Sequence, residues 1–164
     1  FLQSSATAAG ALVASNAIFL EPDPAMASMA PVPASDRVRF GMIGVGMQGS
    51  ALLDSSYHLP GVDCAASCDL YDGRNTLARE ITRADLPVTR HYQDLLNNKE
   101  IDCIVAAVPD HWHKRIVVDA VNAGKDIYCE KPMSHTAKEG VEMADAQKKT
   151  GRIVQIGSPA LLHK

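Results

Sequence analysis

The sequence of 164 residues predicts an α/β fold, a doubly wound parallel sheet. Three observations lead there. Short runs that are apolar on both faces recur between residues 38 and 156, segments of helical period separate them, and a glycine-rich turn follows the first run. A half-exposed antiparallel sheet would instead alternate apolar and polar residues.

Taken in order, Val38 to Gly44 reads as a buried strand ending in glycine, and 47–58 as a helix with Met47, Ala51, Leu52 and Tyr57 on one face. Val62 to Cys68 is a second strand, closed by Asp69. Arg74 to Arg83 carries Leu77, Ala78 and Ile81 at helical spacing, Val88-Thr89 is a brief strand, and Tyr92 to Asn97 a short helix. Ile101 to Val108 is the strongest strand signal, followed by an amphipathic helix over 110–123 that Gly124 ends. Asp126 to Cys129 is a strand, Thr136 to Lys149 a helix ended by Gly151, and Ile153 to Ile156 the last strand.

Composition narrows the function. The chain is 46% hydrophobic and its net charge is −3, which argues for a globular domain and against a nucleic-acid binder held by phosphate contacts. No apolar run is long enough for an ordinary membrane span. All 16 basic residues fall in 37–164, whereas residues 1–35 form an Ala/Ser/Gly run followed by a Pro/Ala-rich stretch. That opening reads as an export signal remnant and linker, with small-residue cleavage steps at Ala25-Met26-Ala27 or Ala30. Phe1-Leu2-Gln3 resembles the segment just after the arginine pair of a twin-arginine signal. The expected location is therefore periplasmic or exported by that route, and cytoplasmic if the opening is not a signal.

The glycine motif Gly44-Val45-Gly46-Met47-Gln48-Gly49 joins the first strand to the first helix. Gly44 permits the tight turn, Gly46 lets the backbone approach a pyrophosphate, and Gly49 lets helix and strand pack closely. The first helical turn, with Met47 and Gln48, offers N–H groups and a positive dipole end to the phosphates. Asp69, twenty residues after Gly49, ends the second strand. A carboxylate there accepts from ribose hydroxyls and repels a 2′-phosphate, so NAD is expected over NADP. Arg74, five residues on, is a residue that could reach such a phosphate, which keeps NADP possible.

Four cysteines form no disulfide framework: Cys64 and Cys68 share a strand face but lie about 13 Å apart, too far to bridge. With Cys103 and Cys129 they read as small buried apolar residues. The histidines His58, His91, His135 and His163 show no metal-ligand spacing, so no metal is expected.

Two later segments, Val108-Pro109-Asp110-His111-Trp112-His113 and Tyr128-Cys129-Glu130-Lys131-Pro132, stand at the ends of predicted strands, on the ligand-binding edge of an open α/β sheet. With the glycine motif they resemble the glucose-fructose oxidoreductase/inositol dehydrogenase (Gfo/Idh/MocA) family. The resemblance runs from about Val38 to Gly157 and covers that family's Rossmann-type nucleotide-binding domain. It implies that Lys131 is the acid/base residue beside the reacting carbon of a sugar-like substrate. It implies that Glu130 bonds the nicotinamide-side ribose, that Pro132 fixes the loop through a cis bond, and that Pro109 and His113 line the cofactor pocket.

The resulting division is 1–35 signal and linker, 36–157 NAD(P)-binding domain, and 158–164 a truncated linker. The family's second α/β domain is absent from this chain, which reads as a fragment of a longer, homo-oligomeric enzyme and as inactive alone. Three functions remain open: an NAD(P)-dependent oxidoreductase of a sugar or polyol, an NAD-dependent glycoside hydrolase, and a non-catalytic NAD-binding module. The Glu-Lys-Pro segment favours an enzyme.

Overall fold

The computed structural model describes residues 32–158, so the signal reading, His163 and nearly all of the 158–164 linker lie outside the described residues. Six strands form one wholly parallel sheet: β1 Val38–Ile43, β2 Val62–Cys68, β3 Val88–Thr89, β4 Cys103–Ala106, β5 Asp126–Cys129 and β6 Val154–Ile156. Their order is β3-β2-β1-β4-β5-β6, the doubly wound arrangement the alternating periods predict. The helices are α1 Met47–Tyr57, α2 Asp72–Thr82, α3 Tyr92–Asn97, α4 His113–Asn122 and α5 Ala137–Thr150.

Strand β1 shows why the apolar runs are continuous. Phe40 and Met42 point into a cluster with Leu53 of α1, Ala78 of α2 and Leu86, while Ile43 faces the other side. There it meets Leu95 and Leu96 of α3, Ile116 and Val117 of α4, and Met143 of α5 within one cluster. Alternate residues therefore enter opposite apolar layers, which only a strand covered on both faces requires.

The structure corrects one helix face. Met47 is 87% exposed and Ala51 is exposed, whereas Gly49 and Leu53 are the buried residues of α1. A β-carbon on Gly49 would lie 1.9 Å from the Gly44 carbonyl oxygen, so the glycine must face inward and turns the helix with it. A glycine adds nothing to an apolar count, and so the expected stripe was rotated.

Three boundaries also move. Helix α2 starts at Asp72 because the Asp69 carboxylate accepts from the Tyr71 N–H and the Asn75 amide donates to the Asp69 carbonyl, closing the first turn. The strand expected over 101–108 is regular only over Cys103–Ala106, although the Asp102 and Ala107 N–H groups still bond to Arg39 and Ile43. Pro109 then leads into a 3-10 turn, Asp110–Trp112, before α4 begins. Helix α5 carries a reciprocal cap, Thr136 accepting from the Glu139 N–H while Glu139 accepts from that of Thr136.

Replacing Gly49 with alanine forces a backbone clash that no rotamer relieves. Gly49→Ala is expected to cost about 3 kcal/mol or more, at or above the top of the usual overpacking range. Denaturant unfolding of the two chains measures it, and a loss under about 1 kcal/mol contradicts the packing described here.

Candidate dinucleotide site

The strand order reverses between β1 and β4, and the carboxyl ends of the strands meet there. A cleft of about 300 Å³ opens at that edge, lined in part by Gly44, Gly46, Asp69, Arg90, Pro109 and Trp112. Gly44 leaves β1 with φ +85, and a β-carbon there would lie 2.4 Å from the Ala107 carbonyl oxygen. Gly46 is the opposite case: a β-carbon on it would meet nothing within 4 Å, which leaves backbone open to the cleft. Helix α1 begins immediately after, with no side chain capping its N-terminus. The N–H groups of Met47, Gln48 and Gly49 thus stand at the positive end of an eleven-residue helix.

Asp69 is held from two sides. One carboxylate oxygen accepts from the Val45 N–H at 2.8 Å and the other from Tyr71 N–H at 2.9 Å. An ionised carboxylate has about four acceptor positions, so each oxygen keeps capacity for a hydroxyl. An open glycine turn, an uncapped helix and a carboxylate beside them match a dinucleotide's own groups: donors for a pyrophosphate, an acceptor for ribose hydroxyls.

The second strongly marked segment reaches the same edge. Glu130 is buried, its N–H bonded to the Ala106 carbonyl. Its carboxylate accepts from Gln48 Nε2 at 3.0 Å, from the Lys131 N–H at 3.0 Å, and weakly from the Tyr128 hydroxyl at 3.4 Å. Gln48 therefore contributes its side chain to this carboxylate and only its backbone to the cradle. The Lys131–Pro132 peptide is cis, as expected, and Lys131 is exposed. Beside Glu130, the Tyr128 phenol is pushed above its ordinary range, by burial first and then by the neighbouring carboxylate.

His113 departs from expectation. Its side chain is fully buried, with Nδ1 at 2.6 Å from the Pro132 carbonyl and Nε2 at 2.9 Å from that of Val108. It does not line the cleft; it braces the Pro132 loop against the end of β4. Pro109 does line the cleft, and Arg74 is exposed in the first turn of α2.

Sequence reasoning missed Arg90 and Tyr92 as cleft residues, whereas Trp112 of the Pro109–His113 segment does line the cleft. The signal for Arg90 was its place directly after the two-residue strand Val88–Thr89. Also missed was the Asp110–His135 pair, at 3.2 Å, which joins the 3-10 turn to the loop after Pro132. The hydrogen bond from His135 is the main cause holding the Asp110 carboxyl below its ordinary range. Among the described residues no group of three or more His, Cys, Asp or Glu is placed to hold a metal ion, and no helix is long and apolar enough to cross a membrane.

This fold and this cradle define a dinucleotide-binding domain. Residues 38–158 match the model of the Gfo/Idh/MocA group, described as the oxidoreductase family with an NAD-binding Rossmann fold, and the chain belongs to that family. Over 122 residues it is 33% identical to an inositol 2-dehydrogenase of Salmonella typhimurium, covering 73% of this chain and 36% of that one. Over 128 residues it is 32% identical to a glycosyl hydrolase family 109 protein of Shewanella pealeana, covering 73% and 28%. The chain thus spans about a third of the length of the curated relatives it matches. Among solved structures, the myo-inositol 2-dehydrogenase of Lactobacillus plantarum is similar with a TM-score of 0.68 at 28% identity, over 74% of this chain and 36% of that one. A myo-inositol dehydrogenase of Lactobacillus casei, solved with NAD(H) and myo-inositol, shares the fold with a TM-score of 0.70 at 24% identity, over 74% and 36%.

All four cysteines are free; Cys68 and Cys129 are buried, while Cys64 and Cys103 are only half-buried. Burial pushes the thiols of Cys64 and Cys129 up to about 12 and that of Cys68 up to about 11, and raises Cys103 as well. All four are therefore protonated at pH 8, and the thiolate is the reactive form. Iodoacetamide at that pH is expected to label Cys64, Cys68 and Cys129 of the native chain at least roughly a hundredfold more slowly than in the chain unfolded in guanidinium. Comparable rates, read by mass spectrometry, contradict this assignment.

Proposed function

We propose that this chain is the cofactor domain of an NAD-dependent dehydrogenase that oxidises a CH–OH group of a sugar or cyclic polyol, within a homo-oligomeric parent enzyme. The observation that carries the reading is the Glu130 carboxylate, bonded at once to Gln48 in the first turn of the phosphate cradle and to the Lys131 N–H. One side chain thereby ties the lysine loop to the dinucleotide turn. Hydride acceptance at the nicotinamide is the chemistry the bound cofactor supplies. Gly44, Gly46, Met47, Gln48 and Gly49 hold the pyrophosphate, Asp69 the adenosine ribose, and Pro109 one wall of the pocket. Glu130 bonds the nicotinamide-side ribose, Lys131 takes the hydroxyl proton as the hydride leaves, and Pro132 sets the lysine's direction. His113 acts through Pro132. The inositol 2-dehydrogenase relative supports a polyol as substrate.

The similarity to a family 109 hydrolase supports a second reading, in which the sugar is oxidised only transiently during glycoside cleavage. Net NADH from a free polyol marks the first reading, and sugar release without net NADH marks the second. General acid–base groups contribute about 10²–10⁴-fold, so Lys131→Ala in the parent enzyme is expected to lower kcat by that factor. Cofactor binding by the 164-residue chain carrying Lys131→Ala, followed by fluorescence of its single tryptophan, Trp112, which lines the cleft, is expected to persist. An unchanged kcat refutes the role of Lys131.

We also propose that residues 1–30 direct export by the twin-arginine route to the periplasm, on the strength of Phe1-Leu2-Gln3, the weakly apolar run and the absence of Lys and Arg from 1–36. A reporter fused to the parent gene's complete leader is expected to be exported only in cells with that machinery. Equal export without it rules the route out.

A further inference from the structure

Among the described residues, Arg90 is the sole cation lining the cleft that Asp69 also lines. A guanidinium so placed is the natural partner of a 2′-phosphate on the adenosine ribose, because its planar fork binds phosphate bidentately. In this chain the fork is taken. Arg90 Nε donates to one oxygen of Asp72 at 2.9 Å and Nη2 to the other at 2.9 Å, a fork-to-fork pair across the end of β3 and the first turn of α2. Asp72 stands three residues after Asp69, at the start of the helix whose first turn Asp69 itself closes.

We propose that Asp72 is a specificity-determining residue for the dinucleotide: by holding the Arg90 guanidinium it keeps the cleft's cation from a 2′-phosphate and biases the site toward NAD. The inference rests on the reading that Asp69 faces the adenosine ribose. NADP must then meet two carboxylates and an arginine already paired, whereas NAD offers hydroxyls to Asp69 and asks nothing of Arg90. Asp72 and Arg90 are both well exposed, with side chains 78% and 55% accessible. Exposed pairs contribute modestly, so the bias is a graded preference and not an exclusion.

Calorimetric titration of the 164-residue chain with NAD and with NADP tests this, at low and high salt. Asp72→Ala is expected to raise the ratio of NADP to NAD affinity by about five- to tenfold, more at low salt than at high. Asp72→Glu, which keeps the carboxylate, is expected to retain most of the original ratio. The double variant Asp72→Ala/Arg90→Ala is expected to lose the gain, since the released cation is then gone. A purely structural role for Asp72 would weaken both dinucleotides together and leave the ratio in place. Asp72→Asn keeps the side-chain volume and serves where Asp72→Ala does not fold. An unmoved ratio in Asp72→Ala or Asp72→Asn, with NAD still bound, overturns the proposal. A gain that survives in the double variant overturns it too. Failure of the unmodified chain to bind either dinucleotide overturns the underlying reading of the cleft, and this inference with it.

Discussion

The close approach of α1 to the end of β1 is the constraint on which the rest of this site depends. Gly49 lies against the Gly44 carbonyl with no room for a β-carbon, and Gly44 lies against the Ala107 carbonyl with equally little. Three backbone segments, the ends of β1 and β4 and the start of α1, are thereby fixed without an intervening side chain. The result is a helix N-terminus aimed at the strand-order reversal, with Gly46 bare toward the cleft. Any side chain at Gly44 or Gly49 would push the helix away and misdirect the donors that the fold gathers there.

From that contact the second half of the site is built by hydrogen bonds of long sequence separation. Gln48 belongs to the turn Gly49 sets in place, and its amide reaches the Glu130 carboxylate 82 positions along the chain. Glu130 is anchored independently by its N–H on Ala106 at the end of β4. A buried carboxylate is tolerated only when it is hydrogen-bonded, and here Gln48, Tyr128 and the Lys131 N–H supply three donors for its roughly four acceptor positions. His113 completes the arrangement from beneath, spanning the Val108 and Pro132 carbonyls with its two ring nitrogens. Truncating it would remove the link between the Val108 carbonyl at the end of β4 and the Pro132 carbonyl of the loop that carries Lys131, so its contribution is to position the loop.

Much of this was legible in the sequence because the signals are local. Apolar runs on both faces announce a covered parallel sheet, and glycines at 44, 46 and 49 followed by Asp69 announce the cradle. What failed to register depends on partners distant in the chain. The inward face of α1 is set by a glycine, which no hydrophobicity pattern weighs. His113 sits one residue after Trp112 in a motif that reads as pocket lining, yet its role is decided by a carbonyl at Pro132, 19 positions away. Arg74 was the arginine nearest Asp69 in sequence, but it is Arg90, directly after the edge strand β3, that lines the cleft.

In the proposed reading, chemistry needs more chain than binding does. Every group assigned to the dinucleotide comes from the strand ends and the turns just beyond them, and all lie within the 121 residues from Val38 to Ser158 that match the family. Lys131 is exposed, on a loop braced by His113 from one side and by the Asp110–His135 pair farther along. Acid–base transfer needs the hydroxyl held within hydrogen-bond reach of the lysine and the reacting carbon about 3–3.5 Å from the cofactor. An exposed lysine at the sheet edge does not by itself hold the substrate, and water competes for the same place. The segment of this chain that matches them is about a third of each relative's length. In the reading proposed here their remaining length covers Lys131 and excludes that water, which is where the choice between a polyol and a glycoside is made.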